Sequence, residues 1–394
     1  MSTILCIATY LKGEAFLQEC SRQGATVLLL TSDTLANAAW PRDAVTEIRT
    51  IARGATDADI RQVVADVFRR HPVDRIAALD DFDVEMGAML REYFQVQGFG
   101  RTVGSRFRDK LTMRQQARRA GLRVPEFSAV FNDQQVRDWA ASVPAPWVLK
   151  PRSSAASTGI RKIASAEDLW PALAAAGAER PACLLEQFVS GDVAHVDSIV
   201  RNGEIIFAVA SKYGRPPMQI AHDGGVFVTR RLAPTAPETT MLLEANARLL
   251  RGFELRNGVS HTEFILSADG VTFLETSARV GGAYIVDVVE AATGINLWRE
   301  WARLEIAGED GSYVLPRIAE DAAGIALCLA RQERPDLSTY DDVEIVKRIP
   351  KSHHAGLIVR SPDYRRVETL LESYVQRFGV DFLATMPAPE RPVE

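Results

Sequence analysis

Apolar residues in the first hundred positions come in two alternating textures. Residues 4–8, 26–30 and 75–79 are nearly continuous in Ile, Leu, Val and Ala, whereas 14–22 and 57–70 space their apolar positions three and four apart. The runs predict buried strands and the spaced segments amphipathic helices, with Gly24 breaking the first helix. Strands alternating with helices imply a parallel sheet joined by crossover connections. The crevice at the carboxyl edge of such a sheet commonly binds a ligand, and here that edge ends in Asp80, Asp81 and Asp83. A plainer reading serves the same three acids: carboxylates favour the positive end of the helix that begins near Phe82.

From Asp109 the texture changes. A helix over 110–120 closes at Gly121, and Val124-Pro125 opens an extended stretch. Strands then predominate at 147–150, 183–188, 195–201, 204–211, 259–266 and 271–275, followed by helices over 284–292 and 297–307, the second opened by Asn296. A smaller unit ends the chain, with strands at 343–347 and 356–359, a helix over 364–378 and a Pro-rich tail from Met386 that reads as loose. No internal repeat is visible. The fold class expected is α/β plus α+β, an N-terminal parallel α/β domain followed by a strand-rich region and a small C-terminal unit.

Composition narrows the function classes. The 394 residues carry 46 Lys and Arg against 51 Asp and Glu, a net charge of −5 with both signs scattered, which argues against nucleic-acid binding through a basic surface. Apolar residues at 47% and charged residues at 25% describe a folded chain rather than a disordered one. No apolar run approaches the ~20 residues of a membrane span, and the first lacks a basic leader. Cys6, Cys20, Cys183 and Cys328 are far apart without CxxC spacing, so no disulfide framework or structural zinc site is indicated. A cytoplasmic, reducing location without membrane partners is the expectation.

Three segments carry chemistry. In PWVLKPRSSAASTGIRKI (146–163) a buried strand delivers Lys150 beside a run of small residues, Ser153 to Gly159, whose backbone N–H groups and hydroxyls can approach an anion. Alone, such a loop is more often just a flexible turn, and it lacks the GK[ST] ending of a Walker loop. In HTEFILSADGVTFLETSARVGG (261–282) an Asp-Gly turn joins two strands, setting Glu263 and Glu275 as neighbours on one face. Paired carboxylates among apolar residues call for a cation, and an all-oxygen donor set suits Mg²⁺, with Ser277 and Arg279 at alternate positions on that face. In LLEQFVSGDVAHVD (184–197) an apolar strand running into a turn offers the lined backbone edge that a purine requires. Lys212, Arg215, Arg230 and Arg231 flank a Gly/Pro-rich stretch (Gly214, Pro216, Pro217, Gly224, Gly225) that reads as a loop folding over the site, and they suit a substrate carboxylate or a solvated loop. His353 and His354 read as structural, or as shaping the site.

In this order, Asp109-Lys110, the VLKP strand with its Ser-rich loop, EQFVSG and HTEF…ETSARVGG resemble the ATP-grasp superfamily of carboxylate-amine ligases, including biotin carboxylase and carbamoyl-phosphate synthase. The resemblance implies a pre-ATP-grasp domain over 1–105, an ATP-grasp domain over 106–310 with a mobile lid at about 126–190, and a C-terminal completion over 311–394. It implies that Lys110 and Lys150 contact nucleotide phosphates beneath the loop containing Ser153, Ser157 and Gly159. Glu186, Phe188 and Val189 would form the adenine hinge, with His195, Asp192 or Asp197 toward the ribose. Glu263, Glu275 and Ser277 would hold Mg²⁺, or Mn²⁺ in its place; Ser277 stands where the family usually has Asn. Arg279 and Lys150 would be catalytic, and Lys212, Arg230 and Arg279 would face the substrate. The function implied is ATP-dependent activation of a carboxylate as an acyl phosphate and its coupling to an amine, in a monomer or homodimer. Two alternatives stand beside it: a non-catalytic ATP-binding regulator, and a biotin-carboxylase-like carboxylation for which the chain carries no biotinylated module.

Overall fold

The structure, a computed structural model, describes residues 2–154, 158–349 and 351–384. All six residues of strand β1 (Thr3–Ala8) are buried, as expected of a parallel strand covered on both faces. It is followed by helix α1 (Glu14–Arg22), β2 (Thr26–Ser32), β3 (Glu47–Ile51), α2 (Asp57–Arg70), β4 (Arg75–Ala78) and α3 (Val84–Tyr93). The four strands form a parallel sheet in the order β3-β2-β1-β4. Strand β3 (EIRTI) carries too little apolar pattern to be read from sequence, because it lies at the sheet edge and only Ile51 is buried. Helix α2 starts sharply at a reciprocal cap between Thr56 and Asp59.

Short helices α4 (Arg101–Arg106) and α5 (Lys110–Arg119) lead into an antiparallel sheet with its own core. Its elements are β5 (Phe127–Ala129), α6 (Asp133–Ser142), β6 (Trp147–Pro151), β7 (Arg161–Ile163), α7 (Ala166–Ala176) and β8 (Cys183–Gln187), with strand order β5-β8-β6-β7. Trp147, Leu149, Leu173 and Leu185 pack between the sheet and its two helices.

The remaining strands form one larger antiparallel sheet: β9 (Asp192–Arg201), β10 (Glu204–Tyr213), α8 (Pro217–Asp223), β11 (Phe227–Arg231), α9 (Pro237–Gly252), β12 (Gly258–Ser267), β13 (Gly270–Ser277), α10 (Ile285–Thr293), α11 (Leu297–Ala307), β14 (Ala322–Leu329), β15 (Ile345–Arg348), β16 (His354–Ser361) and α12 (Tyr364–Asp381). Its order is β13-β12-β9-β10-β11-β14-β16-β15. The C-terminal strands therefore extend the central sheet, because β14 pairs with β11, and α12 covers them with Val367, Leu371, Tyr374 and Phe378. The tail from Met386 lies outside the described residues. Among those described, no helix is long and apolar enough to cross a membrane.

Candidate nucleotide and metal site

Between the small antiparallel sheet and the large one lies a cleft of about 360 Å³. Val148 and Lys150 of β6 and Glu186 of β8 line one wall, and Glu263 and Ile265 of β12 with Leu274 and Glu275 of β13 line the other. Gly191, where the chain passes from one sheet to the other, runs so close to β12 that a Cβ there would lie 2.3 Å from the Leu266 carbonyl oxygen. Only glycine fits that crossing.

The cations of the cleft are placed by a helix start and a strand end. The Asp109 carboxylate accepts from the N–H of Leu111 at 2.9 Å, capping α5, and from the Arg152 guanidinium. This fixes Lys110 in the first turn, where its Nζ donates to the Ser154 carbonyl at 2.6 Å and lies 3.1 Å from Glu275 Oε2. One turn further on, Arg114 is fully buried, with Nε 2.5 Å from Glu186 Oε1. Lys150 Nζ takes the other oxygen of Glu186 at 2.6 Å. One buried carboxylate thus separates two buried cations. Burial drives the Lys150 ammonium down, Glu186 pulls it up, and Arg114 and Lys110 push it down again, leaving it at about 8. Burial favours the neutral form of Glu275, but Lys110 and Lys150 outweigh this and hold its carboxyl at about 2. Arg114 was missed in the sequence reading, although its i,i+4 spacing from Lys110 was the available signal.

A β-bulge places the acids. Glu263 pairs with Glu275, but the next pair is Phe264 with Phe273, so Leu274 is the extra residue. In a regular strand Phe273 and Glu275 would share a face. With the bulge, Phe273 is fully buried beside Phe253 and Phe264, while Leu274 and Glu275 both line the cleft. Glu263 Oε1 accepts from the Tyr213 hydroxyl at 2.8 Å. Two facing carboxylates give an oxygen-only donor set of the kind that suits Mg²⁺.

Beside Glu263 lies a second buried group, His195, Asp197 and His261, whose ligand-type atoms fall within 4.8 Å of one another. It is a hydrogen-bonded chain. Each Nδ1 faces a different oxygen of Asp197, at 2.7 and 2.8 Å, and His195 Nε2 meets the Thr229 hydroxyl at 2.7 Å. Burial lowers His261, but the Asp197 charge and hydrogen bond raise it to about 9.

On the N-terminal side, Asp81 receives hydrogen bonds from Arg108 and from the Ser277 hydroxyl, and Arg279 Nε lies 3.9 Å from it. The plainer reading of the three acids after β4 thus holds for Asp80, whose Oδ1 accepts from Phe82 N–H at 3.0 Å. Asp81 instead ties the parallel sheet to β13.

The structure brings Lys110, Lys150, Ser154, Thr158, Glu186, Phe188, Val189, Glu263 and Glu275 to one cleft. Thr158 Oγ1 is buried without a hydrogen-bond partner among the described residues, a donor free for an anion. Gly159 turns the loop at φ +73°, Ser153 offers its carbonyl to Arg108, and Ser157 lies outside the described residues. The Glu186 side chain is committed to Lys150 and Arg114, which leaves the main chain after it as the edge facing the cleft. The Lys162 ammonium sits 4.3 Å from the Phe188 ring centroid. Other expected residues do not reach the cleft. His195 is held among Asp197 and Thr229 at 1% exposure; Arg230 pairs with Glu368 on α12 at 2.6 Å; Lys212 pairs with Asp192 at 2.6 Å. Arg231 is spent on the carbonyls of Ala292 and Asp321. The Gly/Pro-rich stretch between these cations, expected to fold over the site, does contribute Pro216, Pro217, Met218 and Gln219 to the cleft lining.

Residues 107–283 match the model of the ATP-grasp domain. The chain is 24% identical over 265 residues to an L-arginine-specific L-amino acid ligase of Bacillus subtilis, covering 65% of this chain and 63% of that protein. It is 29% identical over 208 residues to carnosine synthase 1 of Gallus gallus, covering 49% of this chain and 22% of that protein. The match thus spans less than two thirds of either relative's length. The crystal structure of an L-amino acid ligase from Bacillus licheniformis has the same fold, with a TM-score of 0.77 at 16% identity over 97% of this chain and 98% of that one.

Proposed function

We propose, from the ATP-grasp domain that residues 107–283 form, that this chain is an ATP-dependent ligase joining a carboxylate to an amine of the amino-acid or peptide type. The observation that carries the reading is the convergence of Lys110, Lys150, Glu263 and Glu275 on one cleft. The likeness to amino-acid ligases supports the substrate class.

A carboxylate is a poor electrophile, so its oxygen must first take the γ-phosphoryl group of ATP. The amine then attacks the acyl phosphate and expels phosphate. Catalysis of such a transfer rests on positioning and charge stabilisation. Lys110 and Lys150 supply fixed positive charge against the triphosphate, and Thr158 offers its free hydroxyl. Glu263 and Glu275 would hold Mg²⁺, which neutralises phosphate charge when bound. Tyr213 orients Glu263 through its hydroxyl, and the Asp197–His261 pair packs behind it. Arg279, 3.9 Å from Asp81, would face the acyl end, and Ser277 orients Asp81 rather than binding metal directly. Gln187, Phe188 and Val189 form the purine edge. In domain terms, 1–105 precede the grasp, 106–310 form it with a lid at about 126–190, and 311–394 complete it. A reducing, cytoplasmic setting agrees with four free cysteines.

The test is phosphate release from Mg·ATP with pairs of amino acids, with products identified by mass. Carboxylate-stimulated release and a condensed product are expected, and Glu275→Ala lowers turnover at least about a hundredfold. Retained ATP binding with no stimulation by any carboxylate would leave only the regulatory alternative.

A further inference from the structure

A second cleft, of about 330 Å³, opens at the opposite end of β4 from Asp80 and Asp81 and shares no lining residue with the nucleotide cleft. Its charged lining is Arg75, Arg91 and Arg256 against Glu254, Glu305 and Glu309. Arg91 is the built element. It is 6% exposed, its Nε donates to the Phe99 carbonyl at 3.0 Å, and its Nη1 donates to the Ile76 carbonyl at 2.7 Å. Its remaining Nη2 is buried without a hydrogen-bond partner among the described residues. Gly98, at φ +133°, makes room for this arginine: a Cβ there would lie 2.6 Å from Arg91 Cδ. An adjoining chamber of about 20 Å³, large enough for one water or a small polar group, is lined by Arg91 and Glu305 together. Glu305 keeps one oxygen on the Trp301 indole N–H at 2.9 Å, and burial raises its carboxyl above the ordinary range. A buried guanidinium with an unused donor, facing a carboxylate with which it forms no ion pair, lacks a bridging group.

We infer that this cleft binds a small zwitterion with an apolar substituent, a free α-amino acid. Its carboxylate takes Arg91 and Arg256, its ammonium takes Glu305 and Glu309, and its side chain lies on Ile76, Phe99 and Leu304. Three arginines against three glutamates give the lining no net charge, which matches a zwitterion and lacks the excess of cations that a polyphosphate needs. The inference does not depend on the ligase reading.

Calorimetry on the full chain with L-leucine and L-phenylalanine tests it. Saturable binding of at least one is expected, about tenfold or more weaker for 4-methylpentanoate and L-leucinol, which each lack one charge. Arg256→Glu, at an exposed position, and Val103→Trp, which fills the cleft without touching its charges, should both weaken it about tenfold or more while ATP-dependent phosphate release is unchanged. No binding of either amino acid, equal binding of 4-methylpentanoate, or a binding isotherm that both variants leave unchanged in stoichiometry and affinity would overturn the site. Binding that is lost in both variants of a protein without ligase activity would sustain the cleft while refuting the ligase.

Discussion

Glu186 shows how much a single side chain carries. It is 3% exposed and sits between Lys150 and a fully buried Arg114, so neutralising it leaves two desolvated cations facing each other. Glu186→Gln should therefore cost about 3–5 kcal/mol of unfolding free energy, read by urea denaturation, even though the amide is nearly isosteric. Lys150 gives a pH signature. Its pKa of about 8 lies below that of a free lysine, so the ammonium is present at neutral pH and lost as pH rises. Bound phosphate favours the ammonium, and linkage then weakens nucleotide affinity about tenfold per pH unit above pH ~8. Lys150→Arg should abolish that dependence, because a guanidinium stays charged. Titration of nucleotide binding between about pH 6.5 and 9.5 checks both. The lysines were legible in the sequence as ends of regular elements. The carboxylate that ties Lys150 was read as part of the adenine hinge and not as an ion-pair partner, because Arg114, which completes the pair, comes from a helix 72 residues away in the chain.

At the scale of elements, the β12–β13 hairpin decides the site. The Asp-Gly turn and the facing glutamates could be read directly from residues 261–282. The bulge at Leu274 could not, since strict alternation would have sent Phe273 and Glu275 the same way. What selects the bulge is packing: Phe273 and Phe264 both enter the core that contains Phe253, and the extra residue lets Glu275 turn outward. Phe273→Ala removes that anchor and should cost about 3–5 kcal/mol. It should also lower phosphate release more than a stability loss alone explains, measured at a temperature where the variant is folded. The edge strand β3, short and half polar, was invisible for the same reason that it is an edge: little of its surface is buried.

Across the whole molecule, the alternating N-terminal pattern and the strand-rich centre were visible in the order of apolar runs. The union of the C-terminal strands with the central sheet was not, because β11 pairs with β14 across ninety-odd residues of intervening chain. The three parts meet at Asp81, which joins Arg108 before the small sheet to Ser277 at the end of β13 and Arg279 just after it. That junction sets the parallel sheet's carboxyl edge beside β13, the strand that carries Glu275 into the cleft. Acyl phosphate formation is the central claim, and oxygen tracing tests it most directly. With a carboxylate substrate labelled with oxygen-18 and unlabelled Mg·ATP and amine, each phosphate released should carry one labelled oxygen. Product formed with unlabelled phosphate would contradict an acyl phosphate and with it this account of the site.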